Sequence, residues 1–295
     1  MKRFGLTAIG ICLASPVLAD NISETLAADP DGEVMISNIS GSVEVRGWSR
    51  DQVEVTGRLG SDVEELIFER DGDEIVIKVK VPKRNVGRKD ITSDLTVRVP
   101  EGSSLDIGTV SAGIDVQDVR GDLELESVSG SIDAEVFEGD IEAGTVSGSV
   151  DIQGDNKMID AELSSVSGGI SAIGLAGDME AGSVSGRVSV SGDMFESVDL
   201  ETVNGRITFR GKLHDDGDMA MESVNGGVDI RIENNVPARF EVETFNGGIK
   251  NCFGKKAERT SRYAPGYSMT HEIGRGTASV RVETLNGSVN VCAGQ

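Results

Sequence analysis

One short phrase recurs along the chain and decides the fold: "SVSGSI" at residues 127–132, "TVSGSV" at 145–150 and "SVNGGV" at 223–228. We number each repeat from the first glycine of its phrase, or from the residue that replaces it. These zero positions are Gly41, Ala112, Gly130, Gly148, Gly168, Gly186, Gly205, Gly226, Gly247 and Gly287. From Ala112 to Gly247 the spacings are 18, 18, 20, 18, 19, 21 and 21 residues, and so short and steady a period is typical of stacked repeats.

Apolar residues keep the same places in each repeat. Positions −7 and −5 are apolar, as at Leu123 and Leu125, and positions +2 and +4 usually are, as at Val150 and Ile152. Steps of two indicate strands with one buried face. Position −2 is also apolar, as at Val128, and we expect it to join the core. The odd step from −5 to −2 breaks the alternation, so it predicts a bend in the chain there.

Two short strands and two turns per repeat predict an all-β fold, a single-chain parallel β-solenoid with about 18–21 residues per coil. Residues 47–100 depart from the repeat and alternate like antiparallel strands or hairpins, which predicts an N-terminal cap over the first coil. The expected organisation is a signal peptide at 1–19, an N-terminal β region and cap at 20–100, and solenoid repeats at 101–295 with a basic insertion loop at 254–276.

The residue before each zero position is Ser or Asn, and both types bond readily to turn backbone. We interpret this row as a structural turn ladder rather than as a ligand-binding ladder. Its members are Ser129, Ser147, Ser167, Ser185, Asn204, Asn225, Asn246 and Asn286.

The opening "GEVMISNISGSVEVRGWSRDQVEV", the segment "LTVRVPEGSSLDIGTVSAGIDV" and the serial "VSGSIDA"-type units resemble a bacterial domain-of-unknown-function family. Proteins of that family are exported, carry β-strand repeats in a β-helix-like fold and are named "putative adhesins". The resemblance covers nearly all of the chain after residue 19. It implies a binding or adhesin-like role in the bacterial envelope, and it brings no catalytic motif.

The first residues, "MKRFGLTAIGICLASPVLAD", combine a charged start, an apolar stretch and a small-residue cleavage site, which is typical of a secretory signal peptide. We therefore expect export to the periplasm, the cell surface or the medium. The apolar stretch is too short to span a membrane, and no transmembrane segment is expected elsewhere. A net charge of −22 argues against nucleic acid as a partner. Acidic repeats beside the basic segments 78–89 and 250–276 leave self-association open.

Cys252 and Cys292 both occupy position +5 of their repeats and are 40 residues apart, which is one repeat plus an insertion of about twenty residues. If the insertion loops out, the two cysteines lie on adjacent coils at a distance that a disulfide accepts. In an oxidising compartment this predicts a Cys252–Cys292 bridge. The alternative is two free thiols.

The insertion at 254–276 is basic on an otherwise acidic chain and holds both tyrosines, so it is a candidate binding loop as well as a candidate capping loop. Its candidate contact residues are Lys255, Lys256, Arg259, Arg262, Tyr263, Tyr267 and Arg275.

Outward positions −8, −6 and −4 carry rows of carboxylates, which repel one another when they lie directly opposite on neighbouring strands. Calcium could offset that repulsion. The candidate ligands are Asp122, Asp140, Asp160 and Asp178, although the glycine-rich calcium-repeat signature is absent. We expect no other cofactor.

Two functions remain open. The first is a non-enzymatic exported scaffold that binds an unknown protein or glycan of the cell envelope through its faces or its 254–276 loop. The second is a polysaccharide-acting β-helix enzyme, a lyase or hydrolase, which would need two carboxylates set apart in a cleft. Carboxylates occur throughout the repeats, Trp48 is the only tryptophan for sugar stacking, and no catalytic motif is present. These observations favour the scaffold.

Overall fold

The computed structural model describes residues 21–82, 90–261 and 265–294, and every regular element within these ranges is a β-strand. The expected signal peptide and residues 83–89 of the basic 78–89 segment lie outside the described residues. The strands of the N-terminal part are β1 Asn21–Ala27, β2 Glu33–Trp48, β3 Gln52–Leu59, β4 Glu65–Asp71, β5 Glu74–Lys80, β6 Ser93–Pro100 and β7 Ser104–Gln117. The repeats continue with β8 Leu123–Ser127, β9 Ile132–Val136, β10 Ile141–Thr145, β11 Val150–Gly154, β12 Met158–Ser165, β13 Ile170–Ser183, β14 Val188–Thr202, β15 Ile207–Ser223, β16 Val228–Ile232, β17 Ala238–Thr244, β18 Ile249–Asn251, β19 Glu258–Arg259, β20 Tyr267–Glu272, β21 Ala278–Thr284 and β22 Val289–Ala293.

Matching positions of successive repeats pair in parallel and in register. Ile141 of β10 lies opposite Leu123 of β8 on one side and Ala161 of β12 on the other. Val150 of β11 likewise lies between Ile132 and Ile170. The apolar positions −7, −5, +2 and +4 therefore form continuous columns inside the molecule, and their side chains are buried.

The predicted fold class, a single-chain parallel β-solenoid with a hairpin cap, is wrong. Strand β7 runs without a break through the phrase at Ala112, and β13 runs through the turn between two repeats, so each of them pairs with strands that precede a phrase and with strands that follow one. The pairings β7–β8–β10–β12–β13–β11–β9 and back to β7 close a ring of seven parallel strands, a barrel with the other strands outside it. The prediction failed because it divided every repeat into two short strands.

The N-terminal region is also more than an antiparallel cap. Strands β5, β6 and β7 all pair in parallel with β2, so the repeat at Gly41 is part of the parallel sheet on both sides. Antiparallel pairing is confined here to β1 with β3, β3 with β6, and β4 with β5.

The last two repeats are stacked out of chain order. Strand β21 pairs with β15 on one side and with β17 on the other, and β22 lies in the same way between β16 and β18. The repeat at 278–293 therefore lies between the repeats at 218–232 and 238–251. Strand β20 pairs antiparallel with the outer edge of β17 and covers it.

The glycine at position zero is required by close approach of neighbouring repeats. A Cβ at Gly148 would lie 2.0 Å from the carbonyl oxygen of Gly130, and one at Gly226 would lie 1.5 Å from that of Gly205. Neither glycine has a positive φ angle. The recurring glycine therefore lets the phrases of adjacent repeats stack at contact distance.

Among the described residues, no helix is long and apolar enough to cross a membrane.

Candidate functional site

Nine large apolar side chains at position −2 lie on the surface, where the sequence pattern predicted core. They form one row along the stack, each 40–48 % exposed. We call them the apolar row: Val110, Val128, Val146, Val166, Val184, Val203, Val224, Leu285 and Phe245. The backbone N–H of Val166 bonds to the carbonyl of Thr145 at 3.1 Å, and every other member except Val110 donates in the same way to the residue at −3 of the neighbouring repeat. The step from −5 to −2 turns the chain so that this residue points outward.

Six members of the apolar row form one wall of a long open space of about 820 Å³, which we call the groove: Val166, Val184, Val203, Val224, Leu285 and Phe245. The wall facing it is made by position −4, and the buried Ser or Thr at −3 lies between the walls. The groove spans seven repeats, from that of Thr145 to that of Thr244. Because neighbouring strands are about 4.8 Å apart, its length is about 29 Å.

The facing wall changes character along the groove. At one end it carries Ser164 and Gly182, which are small. At the other end it carries four exposed carboxylates, stacked directly on one another in the order Glu201, Glu222, Glu283, Glu243. We call these four the glutamate column.

No cation among the described residues pairs with the glutamate column. Partial burial raises the pKa of the Glu201 carboxyl above its ordinary value, and the carboxylates of Asp199, Glu222 and Glu180 raise it further. Both effects disfavour the charged form. The groove thus combines an apolar wall with negative charge that no basic side chain in the described part of the chain pairs with.

A buried polar ladder runs beneath the groove at position −3, which the apolar pattern of the sequence did not predict. The hydroxyl of Ser165 donates to the carbonyl of Gly148 at 3.1 Å and accepts the N–H of Gly168 at 2.9 Å. Thr145 does the same one repeat earlier. The available signal was a Ser or Thr three residues before each zero position from Ala112 onward. The ladder holds the bend that turns the apolar row outward.

The Ser/Asn positions at −1 lie on the outside of the turns. Their serine members, Ser129, Ser147, Ser167 and Ser185, are exposed. The asparagine amides bond from repeat to repeat at 2.9 Å, Asn225 to Asn204, Asn286 to Asn225 and Asn246 to Asn286. These bonds follow the spatial order of the repeats rather than the chain order.

Two of the four aspartates proposed as calcium ligands accept backbone N–H groups. The carboxylate of Asp122 accepts the N–H of Asp140 at 3.1 Å, and that of Asp140 accepts the N–H of Asp160 at 2.9 Å. Asp178 lies opposite Asp160 in the same column. Across the part of the chain that the structure describes, no group of three or more His, Cys, Asp or Glu side chains is arranged to hold a metal ion. Calcium binding stays a prediction.

Cys252 and Cys292 lie on the adjacent strands β18 and β22, or directly beyond them, with both thiols free. The N–H of Cys252 bonds to the carbonyl of Val291 at 3.3 Å. Burial and a contact with Cys252 raise the pKa of the Cys292 thiol to about 11. The predicted bridge is therefore sterically within reach, and it stays a prediction.

The insertion bounds one end of the groove. Thr260 and Gly266 line the groove beside Phe245. Of the candidate loop residues, Lys255, Lys256, Arg259 and Arg275 are exposed, and the Arg259 guanidinium lies 5.9 Å from the centre of the Tyr267 ring. Arg262 and Tyr263 lie outside the described residues.

Three solved structures illustrate what the chain is similar to. A "putative adhesin" from Bacteroides fragilis is 11 % identical, with 92 % of this chain and 96 % of that chain covered and a TM-score of 0.47. A "putative lipid binding protein" from Parabacteroides distasonis is 14 % identical, with 92 % and 97 % covered and a TM-score of 0.45. A "putative cell adhesion protein" from Clostridium sporogenes is 10 % identical, with 93 % and 100 % covered and a TM-score of 0.28.

No curated protein matches the chain. The model of one family, described as Toastrack DUF4097, matches residues 33–292. This confirms the expected kinship with a domain-of-unknown-function family of β-repeat proteins. The chain belongs to the Toastrack DUF4097 family.

Proposed function

We propose that the protein is a non-enzymatic binding scaffold of the bacterial envelope and that the groove is its binding surface. The observation that carries this proposal is the apolar row, nine large side chains on the surface of an acidic protein, six of which line the groove. Extended exposed apolar surface rimmed by polar groups is typical of binding sites. The signal-like residues 1–19 support export, as the sequence analysis expected.

The groove has little in common with a glycosidase cleft. Such a cleft separates two carboxylates and gives them different pKa values. The carboxyls with shifted pKa values, Glu124, Asp133, Asp199 and Glu201, are all shifted upward, chiefly by burial or by like-charged neighbours in the stacked columns. They form regular columns rather than one distinct pair. A binding role accounts for the regularity, and it needs no catalytic group.

A neutral dye that fluoresces on apolar surfaces, Nile red, tests the proposal. We expect dye fluorescence with the wild-type protein and most of it lost in Val166→Asn/Val184→Asn/Val203→Asn, which removes the middle of the apolar row. The matched control is Met158→Asn/Ile173→Asn, since these side chains are 53 % and 56 % exposed outside the groove. Equal fluorescence from wild type and the triple variant, with both folded by circular dichroism, would show that the groove is not the apolar binding surface.

A further inference from the structure

We propose, resting on the proposed function, that the groove binds the apolar face of a basic amphipathic α-helix from a partner polypeptide, with its Lys and Arg side chains over the glutamate column. Four features of the groove carry this inference: its repeat distance, its saturated backbone, its one-sided apolar wall and its charge.

The repeat distance suits a helix. Successive members of the apolar row are about 4.8 Å apart along the groove. Apolar side chains on one face of an α-helix recur about every 5.4 Å. On one face of an extended peptide they recur about every 6.6 Å. Over the groove's six steps, the side chains of a helix stay within roughly one repeat of register with the apolar row. Those of an extended peptide move out of register by more than roughly two repeats.

The backbone beside the groove is already paired, which excludes strand addition there. The N–H groups of Val146 and Val166 donate to the carbonyls of Ser127 and Thr145 in the preceding repeats. Recognition by an added strand needs free backbone donors and acceptors along the site. A helix needs none, because its backbone bonds are internal. The described residues of this chain contain no helix, and the inference therefore commits to a partner polypeptide as the occupant.

The negative charge of the groove favours a positively charged helix. The glutamate column stacks four carboxylates without a cation among the described residues. Partial burial, together with neighbouring carboxylates that include Glu222, raises the pKa of Glu201. Lys or Arg residues flanking the apolar face of a helix would neutralise this column. An anionic lipid head group would be repelled, and an acyl chain on an open wall that is 40–48 % exposed would keep one side in water.

Fluorescence anisotropy with labelled synthetic peptides tests the inference. The probe is a Leu/Lys peptide of about 18 residues, with Leu at i, i+3, i+4 and i+7, because a helix of that length spans the groove. One comparison peptide has the same composition scrambled, and the other carries Glu in place of Lys. We expect wild type to bind the basic amphipathic peptide at least about tenfold more tightly than either, and more weakly in high salt.

Two groove variants and their matched controls locate the binding. Glu222→Gln/Glu283→Gln and Val184→Asn/Val203→Asn should each weaken the affinity about tenfold. Glu142→Gln/Glu162→Gln removes two charges from the column at position −6, which lies outside the groove, and should leave the affinity within about twofold. Ile173→Asn controls for a lost apolar side chain elsewhere.

The outcomes separate this inference from the proposed function. Equal binding of the Leu/Glu peptide, or equal weakening by the control variants, overturns the basic-helix inference. So does groove-dependent binding to phosphatidylglycerol vesicles without peptide binding, which would point to lipid. If Nile red still requires the apolar row in those cases, the binding-scaffold proposal stands and only the nature of the occupant is wrong.

Discussion

The phrase glycine has no space for a side chain, whereas another glycine four residues earlier has ample space. We expect Gly186→Ala to lower the free energy of unfolding by about 3 kcal/mol, because its Cβ would lie 1.8 Å from the carbonyl oxygen of Gly168. Gly182→Ala, with nothing within 4 Å of its Cβ, should cost nothing and could gain up to about 1 kcal/mol. Urea unfolding of both variants measures this, and equal costs would contradict the close-approach explanation.

The buried hydroxyl at −3 and the exposed hydroxyl at −1 make a second matched pair. Ser165→Ala leaves the carbonyl of Gly148 and the N–H of Gly168 without their partner, so we expect a loss of about 1–3 kcal/mol in unfolding free energy. Ser167→Ala, at an exposed position, should change it by less than about 0.5 kcal/mol. A larger cost at Ser167 would show that the outer row, rather than the buried ladder, holds the turn.

At this scale the sequence predicted burial where the alternation is strict and failed where it breaks. Leu123, Leu125, Val150 and Ile152 are buried as the steps of two indicate. Val128 is apolar too, yet its side chain points outward. The direction of the bend depends on the backbone hydrogen bonds around the bend, which the pattern of apolar residues does not determine. The groove was missed for that reason, since an exposed apolar residue and a buried one look alike in a pattern.

At the scale of elements, the two cysteines join neighbouring repeats that are distant in the chain. After purification under oxidising conditions we expect a Cys252–Cys292 disulfide, formed as both thiols lose hydrogen to a disulfide or dioxygen oxidant. Closing a loop of this length should stabilise the oxidised form by about 3–4 kcal/mol. Mass spectrometry of the proteolysed, unreduced protein identifies the linked peptides.

The control for the bridge is Cys252→Ser. Its melting temperature should not respond to reductant, whereas that of wild type should fall. Alkylation of both wild-type thiols without prior reduction would contradict the bridge.

The order of elements was only partly predictable. The parallel, in-register pairing of strands follows from matching letters, as Ile141 between Leu123 and Ala161 illustrates. The repeats at 238–251 and 278–293 obey the same grammar, however, and either could stack on 218–232. The choice depends on the path of the insertion, whose strand β20 pairs with β17. The closure through β7 and β13 likewise depends on strand length, which the phrase spacing does not fix.

At the scale of the whole molecule, like charge opposes folding. The pKa of Glu124 is raised chiefly by Asp106, then by burial and by Glu142 and other carboxylates, and the pKa values of Asp133, Asp199 and Glu201 are raised too. A carboxyl with a raised folded-state pKa binds its proton more readily in the folded chain. Its contribution to stability is therefore favourable below its ordinary pKa and is lost as pH rises through the raised value.

We accordingly expect the melting temperature to rise when the pH is lowered from about 7.5 to about 5, and also when about 0.5 M NaCl screens the charges at neutral pH. Glu124→Gln should raise the melting temperature at neutral pH and reduce its dependence on pH. Calorimetry measures both effects. A melting temperature that falls on mild acidification would mean that ion pairs, such as Arg98 with Glu54, outweigh the repulsion.

The stacking of residues 278–293 between 218–232 and 238–251 also determines the order in which the repeats at this end of the molecule can assemble. A polypeptide emerges from the ribosome, or from an export channel, N-terminus first, so the middle layer of this end arrives after both of its neighbours. Residues 238–251 must either stay undocked until residues 278–293 arrive, or dock early on residues 218–232 and then be displaced by them. A nonsense mutation just before residue 278 would therefore remove an internal layer rather than shorten one end of the molecule. The C-terminal third cannot finish folding until the whole chain has been synthesised.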